Sequence, residues 1–154
     1  MKNSSLTKAI SYKDFKKEVL DDYKTILISR EASLLGRKEV LSGKAKFGIF
    51  GDGKELPQVA MAKVFEKGDF RSGYYRDQTF MFSIDELTVQ QFFAGLYANT
   101  NFDEEPMSGG RQMGSHFSSV FVDENGKFKD LPNQYNISSD ISPTSGQMPR
   151  LLGL

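Results

Sequence analysis

The chain has 154 residues, a length typical of one domain, and a compact domain of this size buries about 70% of its unfolded surface. Twenty lysines and arginines balance twenty aspartates and glutamates, which excludes the net basic field that nucleic acid or an anionic membrane selects. Because the chain has no cysteine and one histidine, disulfides, thiolate metal sites and a multi-histidine zinc site are also excluded.

The first predicted element is an amphipathic helix that begins after Ser11. Ser11 and Asp14 form a variant of the capping box, and Gly36 or Gly43 offers an end. Its apolar face recurs at spacings of three and four, which predicts the residues that reach the core: Phe15, Val19, Tyr23, Ile26 and Leu27. Residues 1–25 are predicted to be a leading helical extension. This region holds no apolar run of signal or membrane-span length, so we expect a cytoplasmic protein.

Two further helices are predicted in the middle of the chain. The segment 55–69 has Pro57 in its first turn and Gly68 just past its end. The segment 83–100 opens with Ser83 and Glu86 as a capping box. Its broad apolar face should complete a local core, and consists of Val89, Phe92, Phe93, Leu96 and Tyr97.

The chain changes character after Asn99. Residues 99–118 are rich in glycine, serine and acidic residues without a helical or strand period, which predicts a long functional loop. Asn125 and Gly126 lie between short apolar stretches, which indicates a hairpin. A new apolar pattern starts at Met148 and is still running at the last residue, so we expect the domain to be incomplete.

One short motif, FGDGKE at residues 50–55, imitates a magnesium-diphosphate site. Such a site needs an acid to hold the ion and an asparagine farther along, and the stretch that follows Asp52 at that distance has no asparagine. A turn before a helix is therefore the preferred interpretation.

Three other segments carry groups suited to an anionic ligand. SGYYRDQTF, residues 72–80, places the forked donors of Arg76 beside two tyrosine hydroxyls. SGGRQMGSH, residues 108–116, places Arg111 next to glycines that allow close backbone approach, and ends at His116. DISPTSGQMP, residues 140–149, offers hydroxyls in a turn before a helix start, where free amides favour anions.

In this order, the three segments resemble the alpha-type subunit of thiamine-diphosphate-dependent 2-oxo acid dehydrogenases, especially the branched-chain (2-oxoisovalerate) type. The likeness covers roughly residues 26–154, and the leading helix is similar to bacterial forms with alpha-type and beta-type halves fused in one chain. The resemblance implies an α/β fold. Residues 1–154 would be a single, incomplete domain, helix-rich with few short strands, because the chain ends before most of the parallel sheet.

The resemblance also implies the cofactor contacts. A Tyr-Arg pair that holds the diphosphate matches Tyr75 and Arg76. The segment that contacts the thiazolium side matches Ser142 and Thr144, although Thr144 replaces the usual leucine. The resemblance places four further residues around the pocket and assigns no catalytic residue: Tyr74, Arg111, Gln112 and His116.

Two metals belong to the family pattern. A monovalent cation would lie at Pro143 and Gln147, but Gly146 replaces a threonine that helps to coordinate potassium, so potassium binding stays open. The family's magnesium motif falls beyond residue 154, so the magnesium ligands are expected outside this chain.

The implied function is oxidative decarboxylation of a small 2-oxo acid, with acyl transfer to a lipoyl-bearing acyltransferase. The implied assembly includes a beta-type subunit or half, as a dimer of fused chains or a heterotetramer. The 154 residues alone are expected to be inactive. Pyruvate or acetoin dehydrogenase of the same family is an alternative, and a small helical interaction domain without cofactor is an alternative of another class.

Overall fold

A computed structural model describes residues 10–154, which form a helix-rich α/β arrangement. This confirms the predicted fold class. The regular elements are five helices, a two-stranded sheet and one 3₁₀ turn at Leu131–Asn133: α1 (Tyr12–Leu41), α2 (Glu55–Ala62), β1 (Phe70–Ser72), α3 (Gln78–Ser83), α4 (Val89–Leu96), β2 (Asn136–Ser138) and α5 (Gln147–Gly153). The strands β1 and β2 are parallel, with Arg71 opposite Ile137.

Helix α1 begins where its capping signal predicts. The Ser11 hydroxyl accepts the Asp14 backbone N–H at 3.1 Å, which satisfies one of the free amides of the first turn. The helix passes Gly36 and stops at Leu41, and Gly43 follows with a φ of 78°. Of the predicted leading extension, residues 1–9 lie outside the described part of the chain.

The predicted core face of α1 is wrong for four of its five residues, and the fifth, Ile26, is half-buried. Phe15, Val19, Tyr23 and Leu27 are exposed, whereas the buried residues form a stripe of small side chains: Ser29, Ala32, Ser33 and Gly36. Small residues let neighbouring chain segments approach closely. A Cβ on Gly36 would lie 2.5 Å from the Phe50 ring, and the Ser29 hydroxyl lies 2.6 Å from that of Thr79. Larger side chains would not fit at these contacts, so the stripe of small residues forms the buried face of α1.

The other two predicted helices are shorter than expected. Helix α2 has Pro57 in its first turn as predicted, but it ends at Ala62, well before Gly68. The predicted helix 83–100 begins only at Val89, because Asp85 takes a φ of 59° that breaks the helix. The capping box is therefore formed by Thr88 and Gln91, and the predicted cap at Ser83 is wrong. Of the predicted apolar face, Phe92 and Leu96 are buried, Phe93 is half-buried, and Val89 and Tyr97 are exposed.

The second half of the chain consists mostly of ordered turns. Residues 99–118 contain no helix or strand, as predicted. The Asn125-Gly126 hairpin is confirmed by an antiparallel bridge between Val122 and Phe128, with Gly126 at a φ of 75°. Strand β2 then returns the chain beside β1.

The core lies where α1, α3 and α4 meet the sheet. Its most buried apolar residues are Phe80, Met81 and Ile137, each at most 2% exposed. Within residues 10–154, the helices are all too short or too polar to cross a membrane. The core fixes β1 and α3, and the loop between these two elements carries the candidate site.

Candidate functional site

The loop Tyr74–Asp77, between β1 and α3, is held in place at both ends. At its start, the Tyr74 backbone N–H donates to the Asp77 carboxylate at 3.0 Å. At its end, the Arg76 carbonyl accepts from the Gln58 side-chain amide of α2 at 3.0 Å, and the same Gln58 accepts the Phe80 N–H. We name this segment the YYRD loop. Its backbone is fixed by one side chain of the loop itself, Asp77, and by one from α2, Gln58.

A second amide, that of Gln78, also supports the YYRD loop. In the amide orientation that satisfies both its ends, Gln78 donates to the Arg76 carbonyl at 3.1 Å. Its oxygen then accepts from the Ser33 hydroxyl at 2.7 Å and from the Gly51 N–H at 3.2 Å. Helix α1 is thereby joined to the loop through Ser33, which explains why α1 buries this polar side chain.

Arg76 presents a buried donor without a partner in the part of the chain that the structure describes. Its guanidinium carbon lies 5.4 Å from the centre of the Tyr75 ring, in cation–π range. Its Nε atom is buried and has no hydrogen-bond partner among residues 10–154. Since burying an unpaired donor costs free energy, this atom marks a position where an acceptor would be favourable.

The three segments singled out in the sequence meet at this loop. The Tyr75 ring stacks on His116 at 6.0 Å between centroids, and His116 Nε2 lies 2.8 Å from the Ser142 hydroxyl. The Tyr74 hydroxyl donates to that of Tyr75 at 2.7 Å and lies 3.5 Å from that of Thr144.

Four other predicted site residues lie outside this group of side chains or at its edge. The exposed Arg111 stacks on Phe102 at 5.1 Å and donates to the Ser108 carbonyl at 3.3 Å. Gln112 donates to the Ser139 hydroxyl at 3.0 Å, beside the 140–149 segment. For the predicted cation pair, Pro143 is exposed and the Gln147 amide donates to the Ile141 carbonyl at 3.1 Å.

Glu105 is a structural residue that the sequence reasoning missed. Its carboxylate is 4% exposed and accepts four hydrogen bonds within 3.0 Å, from the N–H groups of Met107, Ser108 and Gly110 and from the Ser108 hydroxyl. These bonds shape the glycine-rich turn that leads to Arg111. Glu105 is the last of three consecutive acids, so nothing in the sequence distinguishes it from its exposed neighbours.

A buried ion cluster lies beneath the site, and it was missed as well. Arg71 of β1 is 7% exposed and donates to two carboxylates, those of Asp77 and Asp140. The Arg71–Asp140 distance is 3.4 Å. Burial raises the pKa of Asp140 to about 7, with Arg71 opposing the shift and Asp77 reinforcing it. Because Arg71 is shared by two carboxylates, its effect on the pKa of Asp140 is smaller than the effect of burial.

The FGDGKE segment forms a turn before α2, as predicted. The Lys54 N–H donates to the Gly51 carbonyl at 3.1 Å, and both Glu55 oxygens accept the Gly53 N–H. The Asp52 carboxylate pairs with Arg37 at 2.5 Å. Over residues 10–154, His, Asp and Glu side chains form no group of three that could hold a metal ion.

Comparison with known proteins shows the family to which this chain belongs. Residues 16–141 match the family described as the dehydrogenase E1 component. Among curated proteins, the chain is similar to the 2-oxoisovalerate dehydrogenase subunit alpha of Bacillus subtilis (strain 168), with 30% identity over 142 residues. The matched region is 89% of this chain and 37% of that relative's length. The chain, with its YYRD loop at the meeting point of three segments, belongs to the dehydrogenase E1 component family.

Proposed function

We propose that this chain is the N-terminal part of an alpha-type E1 subunit and that its YYRD loop binds the diphosphate of thiamine diphosphate. The observation that carries the proposal is the buried Arg76 Nε without a partner among residues 10–154. An arginine fork suits phosphate oxygens, and hydrogen bonds to charged groups are the strong ones. The hydroxyls of Tyr74 and Tyr75 lie beside it as neutral donors.

The remaining site residues would surround the rest of the cofactor. Ser142 and Thr144 offer hydroxyls within reach of His116 and Tyr74, respectively. When bound, thiamine diphosphate supplies the electron sink for decarboxylation. In our proposal His116 shapes the pocket through its stacking on Tyr75, and none of the described residues is assigned a catalytic role.

The metal ions belong to the same proposal. Magnesium would be held by ligands outside this chain, as the resemblance to the family implies. A monovalent cation at Pro143 and Gln147 finds less support, since the Gln147 amide donates within its own turn.

We propose that the complete enzyme oxidatively decarboxylates a branched-chain 2-oxo acid and passes the acyl group to a lipoyl partner. Support for the substrate is the 30% identity to a protein named for 2-oxoisovalerate. A beta-type subunit or half would complete the assembly. We expect carbon dioxide release from 3-methyl-2-oxobutanoate to exceed that from pyruvate in kcat/KM by about tenfold or more, the scale of a few apolar contacts in a pocket. A preference for pyruvate would instead assign the enzyme to the alternative.

The central test is the substitution Arg76→Ala in the complete enzyme. Charged hydrogen bonds are worth about 1.5 to 3 kcal/mol, so thiamine diphosphate affinity should fall by roughly tenfold to a hundredfold. Calorimetric titration in the presence of magnesium gives the dissociation constant directly.

Two matched variants serve as controls. Arg37→Ala removes an arginine that is outside the proposed site and pairs with Asp52, and Asp52→Asn changes the carboxylate of the turn that imitates a magnesium motif. Both should leave cofactor affinity and the magnesium requirement as in wild type. An Arg76→Ala enzyme with unchanged affinity would refute the diphosphate assignment. A clear loss of magnesium-dependent activity in a folded Asp52→Asn enzyme would refute our interpretation of that turn.

A further inference from the structure

The cluster of the buried Arg71 and Asp140 with the half-buried Asp77 joins segments that are distant in the sequence. Arg71 lies in the middle of β1, at the end of which the chain turns into the YYRD loop. Asp77 closes that loop, and Asp140 opens the segment that carries Ser142 and Thr144. One guanidinium therefore contacts both sides of the proposed cofactor site.

Each carboxylate also fixes a piece of backbone at the site. Asp77 accepts the Tyr74 N–H at 3.0 Å, which sets the conformation of the YYRD loop. Asp140 accepts the Phe117 N–H at 3.4 Å through its side chain, and its own N–H donates to the Phe117 carbonyl at 2.9 Å. Phe117 directly follows His116, so the pocket residue that stacks on Tyr75 is anchored by the same cluster.

The surroundings of Arg71 admit little movement. Its guanidinium carbon lies 4.7 Å from the centre of the Phe80 ring, and Nη1 lies 3.9 Å from the Met81 sulfur. A Cβ on Gly73 would fall 1.9 Å from Nη2, so only glycine fits there. A planar fork with five donors can bond two carboxylates in different directions, which a lysine ammonium cannot reproduce in the same space.

Removing the guanidinium would leave Asp77 and Asp140 facing each other without a cation. The two carboxyl groups would then lose the donor that they share, so the cluster would no longer hold their two backbone segments together. Separation would move the tyrosine hydroxyls away from Ser142 and Thr144. The consequence of losing Arg71 should thus appear at the site and not only in overall stability.

We infer that Arg71 is a positioning residue that clamps the YYRD loop to the segment beginning at Asp140 and so preorganises the cofactor site. Arg71 itself faces the two carboxylates, and its effect on the cofactor passes through Asp77 and Asp140. The inference rests on the proposed function for its effect on the cofactor, whereas its effect on the two segments can be measured without any ligand.

The experiment uses Arg71→Lys in the complete enzyme, with Arg37→Lys as the matched control at an exposed ion pair. Backbone hydrogen exchange of the cofactor-free protein is measured for peptides covering Tyr74, Phe117 and Asp140. Loss of one charged hydrogen bond changes the equilibrium constant for local opening by roughly tenfold. We therefore expect hydrogen exchange at all three positions to accelerate by about tenfold or more. Helix α4 and the Arg37→Lys protein should exchange as wild type does.

The second readout is thiamine diphosphate affinity by calorimetry, which we expect to weaken by about tenfold in Arg71→Lys. Asp140→Asn keeps the shape of the carboxylate and should accelerate exchange at Phe117 while sparing Tyr74, which extends the test if the arginine variant is poorly folded. Unchanged exchange at Tyr74 and Asp140 in a folded Arg71→Lys protein would overturn the clamp. If the wild-type enzyme binds no thiamine diphosphate, the proposed function fails, and the exchange rates still decide the role of Arg71.

Discussion

Gly51→Ala should destabilise the protein by about 3 kcal/mol or more, although it adds a single methyl group. An added Cβ would lie 2.3 Å from the Arg76 carbonyl oxygen and 2.8 Å from the nearer terminal atom of the Gln78 side-chain amide. The first neighbour is backbone, which cannot rotate away. The methyl group must therefore displace the YYRD loop from its hydrogen bonds with Gln58 and Gln78.

Equilibrium unfolding in urea measures this effect, and Gly153→Ala is the matched control. A Cβ at Gly153, in α5, would meet no atom within 4 Å. The control should change the free energy of unfolding by less than about 1 kcal/mol, since Ala is the better helix former. A Gly51→Ala protein within that same range would show that the contact between Gly51 and the loop is looser than the distances indicate.

The second large effect concerns pH, because Asp140 should make the protein less stable as the pH rises from about 4 to about 7. Burial raises the pKa of Asp140 from 3.8 to about 7, while Arg71 lowers it and Asp77 raises it further. The folded state thus keeps a proton that the unfolded state releases. The resulting stabilisation is complete below pH 3.8 and is lost as the pH passes about 7. Each pKa unit corresponds to about 1.4 kcal/mol, so the loss between pH 5 and pH 8 is about 2 to 3 kcal/mol.

Asp140→Asn removes this titration. We expect the free energy of unfolding of the variant, relative to wild type, to rise by about 2 to 3 kcal/mol between pH 5 and pH 8. Urea unfolding at pH 5, 6.5 and 8 would measure it, with Glu124→Gln on the exposed hairpin turn as the control. Parallel curves for Asp140→Asn and wild type would mean that Arg71 keeps Asp140 ionised throughout this range.

The sequence alone determined the features that depend on neighbouring residues. The Ser11 cap, the Asn125-Gly126 hairpin and the irregular loop 99–118 follow from local backbone preferences, which are encoded within a few positions. The three ligand-type segments were also recognisable, because arginine, tyrosine and glycine in such clusters suit an anion whatever the fold. Six of the predicted site residues belong to the group that the structure brings together: Tyr74, Tyr75, Arg76, His116, Ser142 and Thr144.

Only the tertiary structure decided which side chains are buried and what they hold. The apolar stripe of α1 predicted its core face, but the close approach of Phe50 and α3 selected the small stripe through Ser33 and Gly36 instead. Arg71 and Asp140 look like surface charges in the sequence, and they become a buried pair because β1 and β2 lie side by side in parallel. The partner of a buried charge can lie anywhere along the chain, so no local pattern could reveal the cluster that supports the YYRD loop.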